Sequence, residues 1–422
     1  MNEILLSPAQ NDPNKRFKAR SKAELKQSLE QQRQLKQEWQ VEGKAQFQVG
    51  EAFFRPDSRP ARDLGVLAAA LYRQQNGRLR VLETMAGSGI RSLRYSLEAQ
   101  ADLVWTNDGN GDITALRRSN LERNLAPDCY RLTQERAAQP LARCCADEDF
   151  YDLVDIDAFG SGGPFMAAAV GATAMGGLIY LTATDARTLA GRAPEKSLRA
   201  YGVYGRIHPS CQEQGLRMLI GGLWEQASAR GFGLRPIFSY FGGQTYRVMV
   251  QLLSRSPGPE ESGVMSAQFP KTHPPYGFLG YCHQCGEYQC LGWRKLSRAT
   301  CPHHSEPLPL TLSGPQWLGP LHNRDFLAQM RRQAQAWNWP SIDALLAVMS
   351  AEATLPPYHF PLGELGKWGK MDPPKRDRLI RALQAEGYAA SPTQFSAQAL
   401  KTNASLHDCI ALSQDIAFGK GL

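Results

Sequence analysis

From Leu79 to Leu253 short apolar runs alternate with amphipathic stretches, and few folds accept that pattern. Leu79–Glu83 reads as a strand, followed by a glycine-containing turn and a helix over Ile90–Glu98. Leu103–Asn107 reads as a second strand, with a helix over Ile113–Asn124. Phe150–Asp157 and Gly177–Thr182 are further strands, Met218–Ala229 a helix, and Tyr246–Leu253 strand-like. Strands alternating with helices at this spacing pack as a parallel sheet covered on both faces. The expected class is therefore α/β and Rossmann-like. In open sheets of this kind ligands bind in the crevice at the carboxyl ends of the strands.

Two of those strand ends carry chemistry. The first strand runs into Glu83-Thr-Met-Ala-Gly87-Ser-Gly89, which opens a helix. Glycines let the backbone approach a ligand closely, and a helix start offers free N–H groups and partial positive charge. Asn107-Asp108 ends the next strand about twenty residues on, where an acid can take ribose hydroxyls. Position 92 is Ser, so the third glycine of the dinucleotide fingerprint is missing. A single nucleoside such as S-adenosylmethionine fits this better than NAD. The other strand end is Asp152-Leu-Val-Asp-Ile-Asp157-Ala-Phe159-Gly160. It places an acid and an aromatic ring together in a loop. An acid that accepts a hydrogen bond from an exocyclic amine, beside a ring that stacks on a base, is what methylation of a nucleobase amine requires.

The remainder bounds the organisation. With 422 residues, 42% of them hydrophobic and 21% charged, the chain is expected to form more than one soluble domain. No apolar stretch is long enough to span a bilayer, and the first thirty residues lack a signal-peptide pattern, so a cytoplasmic location is expected. The net charge of +8 fits a polyanionic partner. Residues 1–40 read as a polar, basic extension with helical composition over Ser21–Gln40, residues 41–255 as the Rossmann-like domain, and Ser254–Gly263 as a linker. Residues 264–422 read as a smaller α+β domain, with helices over Asn323–Met349 and Lys375–Glu386. That domain contains Cys282-x2-Cys285-x15-Cys301-x2-His304, two knuckles at zinc spacing, with His303 or Cys290 as competing ligands. Four protein ligands leave no open position, so the expected Zn²⁺ is structural. The odd total of nine cysteines argues against a disulfide framework.

Several segments, taken in order, resemble the tRNA guanine-26 N2-dimethyltransferase family. Glu42-Gly-Lys-Ala45 resembles its EGKA opening, and Ala52-Phe-Phe-Arg-Pro56 with Ala61-Arg-Asp-Leu64 resembles VFYNP…NRDL. Val81–Arg91 resembles VLDALSATGIR, and Trp105-Thr-Asn-Asp108 with Asn120 and Asn124 resembles NDI…N…N. Asp155–Phe165 is similar to DLDPFGSPxPF, Gly177–Gly191 to GLLxVTATDxxxLCG, and Tyr246-Arg-Val-Met-Val250 to FYxRVFV. Further on, Ser313–Leu321 is similar to GPxWLGPL, and Ala385–Ser391 with Leu400-Lys-Thr-Asn403 to the GYxASRTHF…IKT ending.

The resemblance implies a methyltransferase domain followed by a family-specific domain, with S-adenosylmethionine as donor, tRNA as partner and no obligate protein partner. It implies that Arg62 holds the donor carboxylate, the alternative being a surface pair with Asp63; Arg91 is a second candidate. Glu83, Gly87, Gly89 and Asp108 would form the rest of the donor site, with Arg136 and Ala137 at the adenine. Asp157 would accept a hydrogen bond from guanine N2, with Phe53 and Phe159 stacking on the base; the alternative for both rings is core packing. The chain departs from the pattern at Arg55, Arg136 and Ala158, where the family has Asn, Asp and Pro. Those departures motivate a rival expectation, a tRNA-binding protein with weakened catalysis. Another is methylation of a different exocyclic amine, since Asp-x-Phe-Gly is not specific for one base.

Overall fold

A computed structural model describes residues 38–255 and 275–417. The extension over 1–37 and nearly all of the linker over Ser254–Gly263 lie outside the described residues. The expected helix over Ser21–Gln40 does not reach its end, because β1 (Gln40–Glu42) already pairs with β2 (Ala45–Phe47) there.

The largest sheet has seven strands: β3 (Arg80–Glu83), β4 (Leu103–Asn107), β5 (Tyr130–Thr133), β6 (Tyr151–Asp157), β7 (Thr173–Ala183), β8 (Gly233–Gly242) and β9 (Thr245–Leu253). Their spatial order is β5-β4-β3-β6-β7-β9-β8. β3 pairs in parallel with both β4 and β6, so the chain steps outward one way and returns to build the other half. That reversal between β3 and β6 is the switch point at which a crevice opens beyond the strand ends. The central strands are buried along nearly their whole length, which is why they read as unbroken apolar runs.

The sheet departs from the all-parallel expectation at one edge. β9 runs antiparallel to both β7 and β8. A two-residue turn at Gly243–Gln244, with Gly243 at φ 70°, joins β8 to β9. It returns the start of β9 to the end where β6 and β7 finish. The sequence reading missed β8 because Pro236 interrupts it; at the edge of a sheet a missing N–H costs little, and the register shifts just after the proline.

Beyond residue 274, small antiparallel sheets are built on the pairings of Tyr276–Tyr281 with Tyr288–Leu291 and Thr311–Trp317, and of Ser396–Thr402 with Phe360–Pro361 and Ala390–Thr393. The single helix expected over Asn323–Met349 is two, Arg324–Ala336 and Pro340–Glu352. Asn338 sits at φ 57° between them, and Pro340 cannot continue the preceding turn. Both helices contribute to the same buried cluster as the helix Arg59–Asn76, through Leu327, Met330, Ile342 and Leu346.

A buried ionic cluster ties the helix Cys211–Ser228 to the last sheet. Glu213 Oε1 accepts from Lys401 Nζ at 2.6 Å and from Arg217 Nη2 at 2.6 Å, while Oε2 lies 3.3 Å from His359 Nδ1. Burial would raise the Glu213 carboxyl, but Lys401 and Arg217 outweigh it and hold the group far below the ordinary range. Removing one partner of a buried charge cluster costs about 3–5 kcal/mol. Glu213→Ala is therefore expected to lower the urea-unfolding free energy by about that amount, since it leaves Lys401 and Arg217 facing each other. Lys401→Met, which leaves the Glu213–Arg217 pair, should cost less. Because the folded-state pKa is depressed, this stabilisation is complete above the normal glutamate pKa and is lost as pH falls through the lower folded value.

Candidate active site

The crevice at the switch point holds a cavity of about 580 Å³. Its floor is the turn between β3 and the helix Ile90–Leu97. Gly87 and Gly89 there have φ 55° and 86°, a backbone that L side chains rarely adopt. Ala86 N donates to Asn107 O and Gly87 N to Asp108 Oδ2, both at 2.8 Å, so the end of β4 fixes the turn. Asp108 Oδ1 also accepts from Asn110 N at 2.8 Å.

Glu83 ends β3 and is buried. Its Oε2 accepts from Ser92 N at 2.9 Å and from Ser92 Oγ at 2.5 Å. Burial, reinforced by the nearby Asp155 carboxylate, pushes it up to about 8. On β6, Asp155 and Asp157 are two residues apart and so share a face of the sheet. Arg91 joins them, with Nη1 2.8 Å from Asp155 Oδ1 and Nη2 2.8 Å from Asp157 Oδ2. Tyr95 Oη donates to Asp155 at 2.7 Å.

From β9, Arg247 approaches Asp157 Oδ1 at 3.2 Å and donates to Thr182 Oγ1 at 2.8 Å. Asp157 retains 33% side-chain exposure, whereas Asp155 has none. Burial would raise Asp157, but Arg247 and then Arg91 more than offset it and keep the carboxyl below its ordinary value. Neighbouring acids are thus driven apart, Glu83 towards the protonated form and Asp157 towards the ionised one, and such a split marks sites with distinct chemical roles.

Two rings that do not pack into the core line the same cavity as Asp157. Phe53 is 67% exposed and Phe159 87% exposed. Their centroids are 6.4 Å apart at an interplanar angle of 74°. The core-packing alternative is excluded for both. Arg55, one of the departures from the family pattern, places its guanidinium 5.1 Å from the Phe53 centroid. Ala158, another, is buried. The loop after it is held by Gly160 N donating to Thr184 Oγ1 at 2.7 Å and by Thr184 N donating to Gly160 O at 2.8 Å.

The cavity brings together Phe53, Arg62, Glu83, Gly87, Arg91, Asp108, Asp157 and Phe159 of the residues singled out from sequence. Gly89 lies just beyond, at the cap of the motif helix. Arg136 and Ala137 are outside the lining, at the start of the helix Ala138–Ala146. Arg62 does not form the surface pair with Asp63 that was its alternative. It is buried and forms a two-pronged pair with Glu42, at 2.7 Å from Nε and 2.5 Å from Nη2, while Asp63 pairs with Arg94 at 2.6 Å. Both prongs of Arg91 are engaged by Asp155 and Asp157. Arg247 and Gln244 line the cavity without having been assigned a role from sequence. The available signal for Arg247 was an arginine set inside an otherwise apolar strand.

The four metal-ligand candidates also converge. One ligand atom each from Cys282, Cys285, Cys301 and His304 lie within 4.8 Å of one another. Cys282 Sγ is 3.4 Å from His304 Nε2, and Cys285 Sγ is 3.5 Å from Cys301 Sγ. Tetrahedral zinc with ordinary bond lengths sets its ligand atoms about 3.5–3.8 Å apart, so the donor set and its spacing fit. His303 and Cys290 are outside the group, and His304 is the residue that joins the three cysteines in it.

Comparison with known proteins decides what this assembly belongs to. The family model for N2,N2-dimethylguanosine tRNA methyltransferase matches residues 35–413. The chain belongs to this family. Among curated relatives, the tRNA (guanine(26)-N(2))-dimethyltransferase of Thermococcus kodakarensis is 28% identical over 365 residues, covering 83% of this chain and 90% of the relative. The enzyme of the same name from Archaeoglobus fulgidus is 29% identical over 370 residues, covering 86% and 95%. The solved complex of Trm1 from Pyrococcus horikoshii with S-adenosyl-L-methionine superposes with a TM-score of 0.74 at 24% identity, over 89% of this chain and 99% of that one. The two chains thus share one fold over that span. Among the described residues, no helix is long and apolar enough to cross a membrane.

Proposed function

We propose that this protein is an S-adenosylmethionine-dependent tRNA methyltransferase that adds methyl groups to the exocyclic N2 of guanine, twice, at position 26. The observation that carries this reading is the partly exposed Asp157, paired with Arg91 and Arg247, lining one nucleoside-sized cavity with two solvent-facing phenylalanines. The family match and the relatives' names supply the base and the position. All nine cysteines are free, in keeping with the cytoplasm as its place of action.

The donor fits the residues present. Asp108 offers a carboxylate to the ribose, Gly87 and Gly89 keep side chains out of the turn, and Glu83 lines the wall. Arg62 is assigned to the methionine carboxylate, with Glu42 orienting it; Arg136 and Ala137 are assigned to the adenine from the family pattern, and lie outside the cavity lining. Arg91 is assigned to Asp155 and Asp157, which it bridges at 2.8 Å to each. When bound, the donor supplies a methyl group on a positively charged sulfur.

Asp157 accepts one N2–H of the guanine and so aims the nitrogen lone pair along the line of transfer, and that alignment supplies most of the rate. Its negative charge also offsets the positive charge that builds on N2 as the new bond forms. Since Arg247 and Arg91 lower its proton affinity, Asp157 acts as acceptor and counter-charge, and the released N2 proton goes to solvent. Only one N–H is needed for this contact. A guanine already carrying one methyl still has it, so the same geometry serves a second round.

Extruding a base costs a few kcal/mol, and aromatic stacking returns about 1–3 kcal/mol per base. Phe159→Ala is expected to lower kcat/KM for tRNA about 5- to 100-fold, with donor affinity by calorimetry unchanged and Phe159→Tyr close to wild type. The function itself is tested by incubating unmodified tRNA with donor and digesting it for nucleoside mass spectrometry. N2-methyl- and N2,N2-dimethylguanosine are expected. Methyladenosine alone would replace guanine as the target base, and tRNA binding without any product would make this a catalytically weakened binder.

A further inference from the structure

A second recess, of about 360 Å³, opens on the far side of the loop that carries Phe159. It is lined by Ser161, Gly163 and Pro164 from the loop and by Lys196, Arg199 and Ala200 from the helix Pro194–Tyr201. The lining contains two cations and no acid. Lys196 and Arg199 are exposed, and neither forms an ion pair among the described residues; Arg199 donates Nε to the Glu195 carbonyl at 3.2 Å. The catalytic cavity and the recess share one loop, so what holds that loop fixes their relation. Gly162 N donates to Tyr201 Oη at 3.3 Å, Tyr201 Oη donates to Asp185 Oδ1 at 2.8 Å, and Gly163 N donates to Ser161 Oγ at 3.2 Å. Gly163 lies so close to the Ala200 carbonyl that a Cβ would collide with it, which presses loop and helix together. Phe159 and Ser161 are two residues apart, so their Cα atoms are separated by at most about 7 Å.

An open recess with two unpaired cations and a hydroxyl suits an oxyanion that remains attached to something larger. A base turned out of its stack rotates about its own backbone, so a phosphate beside it must come close to the slot that receives the base. We propose that the recess binds the RNA phosphodiester adjoining the target guanine, through Lys196, Arg199 and Ser161 Oγ. This rests on the reading that an RNA guanine stacks against Phe53 and Phe159. Lys196 and Arg199 are then positioning residues that hold the nucleotide's backbone while Asp157 aims its amine.

The test pairs the Lys196→Ala/Arg199→Ala variant with unmodified tRNA. Its kcat/KM is expected to fall about tenfold or more, and the slope of log affinity against log salt to shrink by about one. Donor affinity by calorimetry should stay at the wild-type value, and Lys196→Arg should retain most of the activity. A tRNA with a neutral methylphosphonate beside position 26 should lose as much with the wild type as the variant loses with normal tRNA, and the two losses should not add. Additive losses, or an unchanged kcat/KM and salt slope, would overturn the assignment. So would inhibition by millimolar inorganic phosphate in the wild type alone combined with indifference to the methylphosphonate, which would make this a free-anion site. Filter binding of tRNA gives a readout without turnover. A wild type that binds tRNA but transfers no methyl sinks the proposed function, while the recess is still judged by the variant's loss of binding.

Discussion

Asp157→Asn is expected to lower kcat/KM for tRNA by about 10²–10³-fold, the usual loss when one preorganised electrostatic group is removed from a reacting centre. The substitution keeps the side chain's shape but removes the charge that Arg91 and Arg247 hold in place. Arg91 keeps Asp155 and Arg247 keeps Thr182, so the fold and the donor affinity should change little. The pH dependence follows from the same pair. A carboxyl held below its ordinary value is ionised, and therefore active, throughout the range above that value. The acid limb of kcat/KM due to Asp157 should thus fall below about pH 4, where an unperturbed aspartate titrates. Arg247→Ala removes the larger of the two lowering influences, so Asp157 rises and activity is lost at a higher pH. Rate profiles of the two proteins on one tRNA check both the size and the sign of the shift.

The other large effect is expected from the metal ligands. The core around them is small: Cys282, Leu291, Cys301 and Leu310 are the only buried members of its cluster. So few apolar side chains cannot hold a sheet by themselves, and isolated zinc modules draw about 10–16 kcal/mol from their metal. Cys282→Ser should therefore abolish stoichiometric zinc in elemental analysis and cost on the order of 5 kcal/mol in unfolding free energy. The damage should spread beyond the knuckles. Thr311–Trp317 leads directly into the segment whose Trp317 and Gly319 carbonyls accept from Arg217 Nη1, at 3.2 and 2.7 Å, on the helix Cys211–Ser228. Full stability together with loss of zinc would show that the cysteines pack without needing the metal.

The parts of this molecule that could be read from the chain are those where burial writes itself into composition. β3, β4, β6 and β7 lie at the centre of the sheet, covered on both faces, and their apolar runs fall within a few residues of the observed bounds. β5 is an edge strand of four residues, none fully buried, and has no such run to show. The cavity residues on the βα turns were legible because they sit in local patterns, a glycine turn after an acid and an Asp-x-Phe-Gly loop. The partners that set their charge were not. Glu42 meets Arg62 across 20 positions of chain, and Arg91 meets Asp157 across 66. Arg247 reaches Asp157 only because β9 turns back antiparallel beside β7, and a strand's direction leaves no mark on its own sequence. The spacing of Cys282, Cys285, Cys301 and His304 did carry over into space, because a tetrahedral ion allows few other arrangements.

The central claim is that Asp157 directs methyl transfer to one guanine. The most direct measurement is transfer of labelled methyl from S-adenosylmethionine to unmodified tRNA transcripts, comparing the wild type with Asp157→Ala and comparing guanine with adenine at position 26. Label is expected only where the wild-type protein meets the guanine transcript. Equal label in the Asp157→Ala reaction, or equal label in the adenine transcript, would contradict the account.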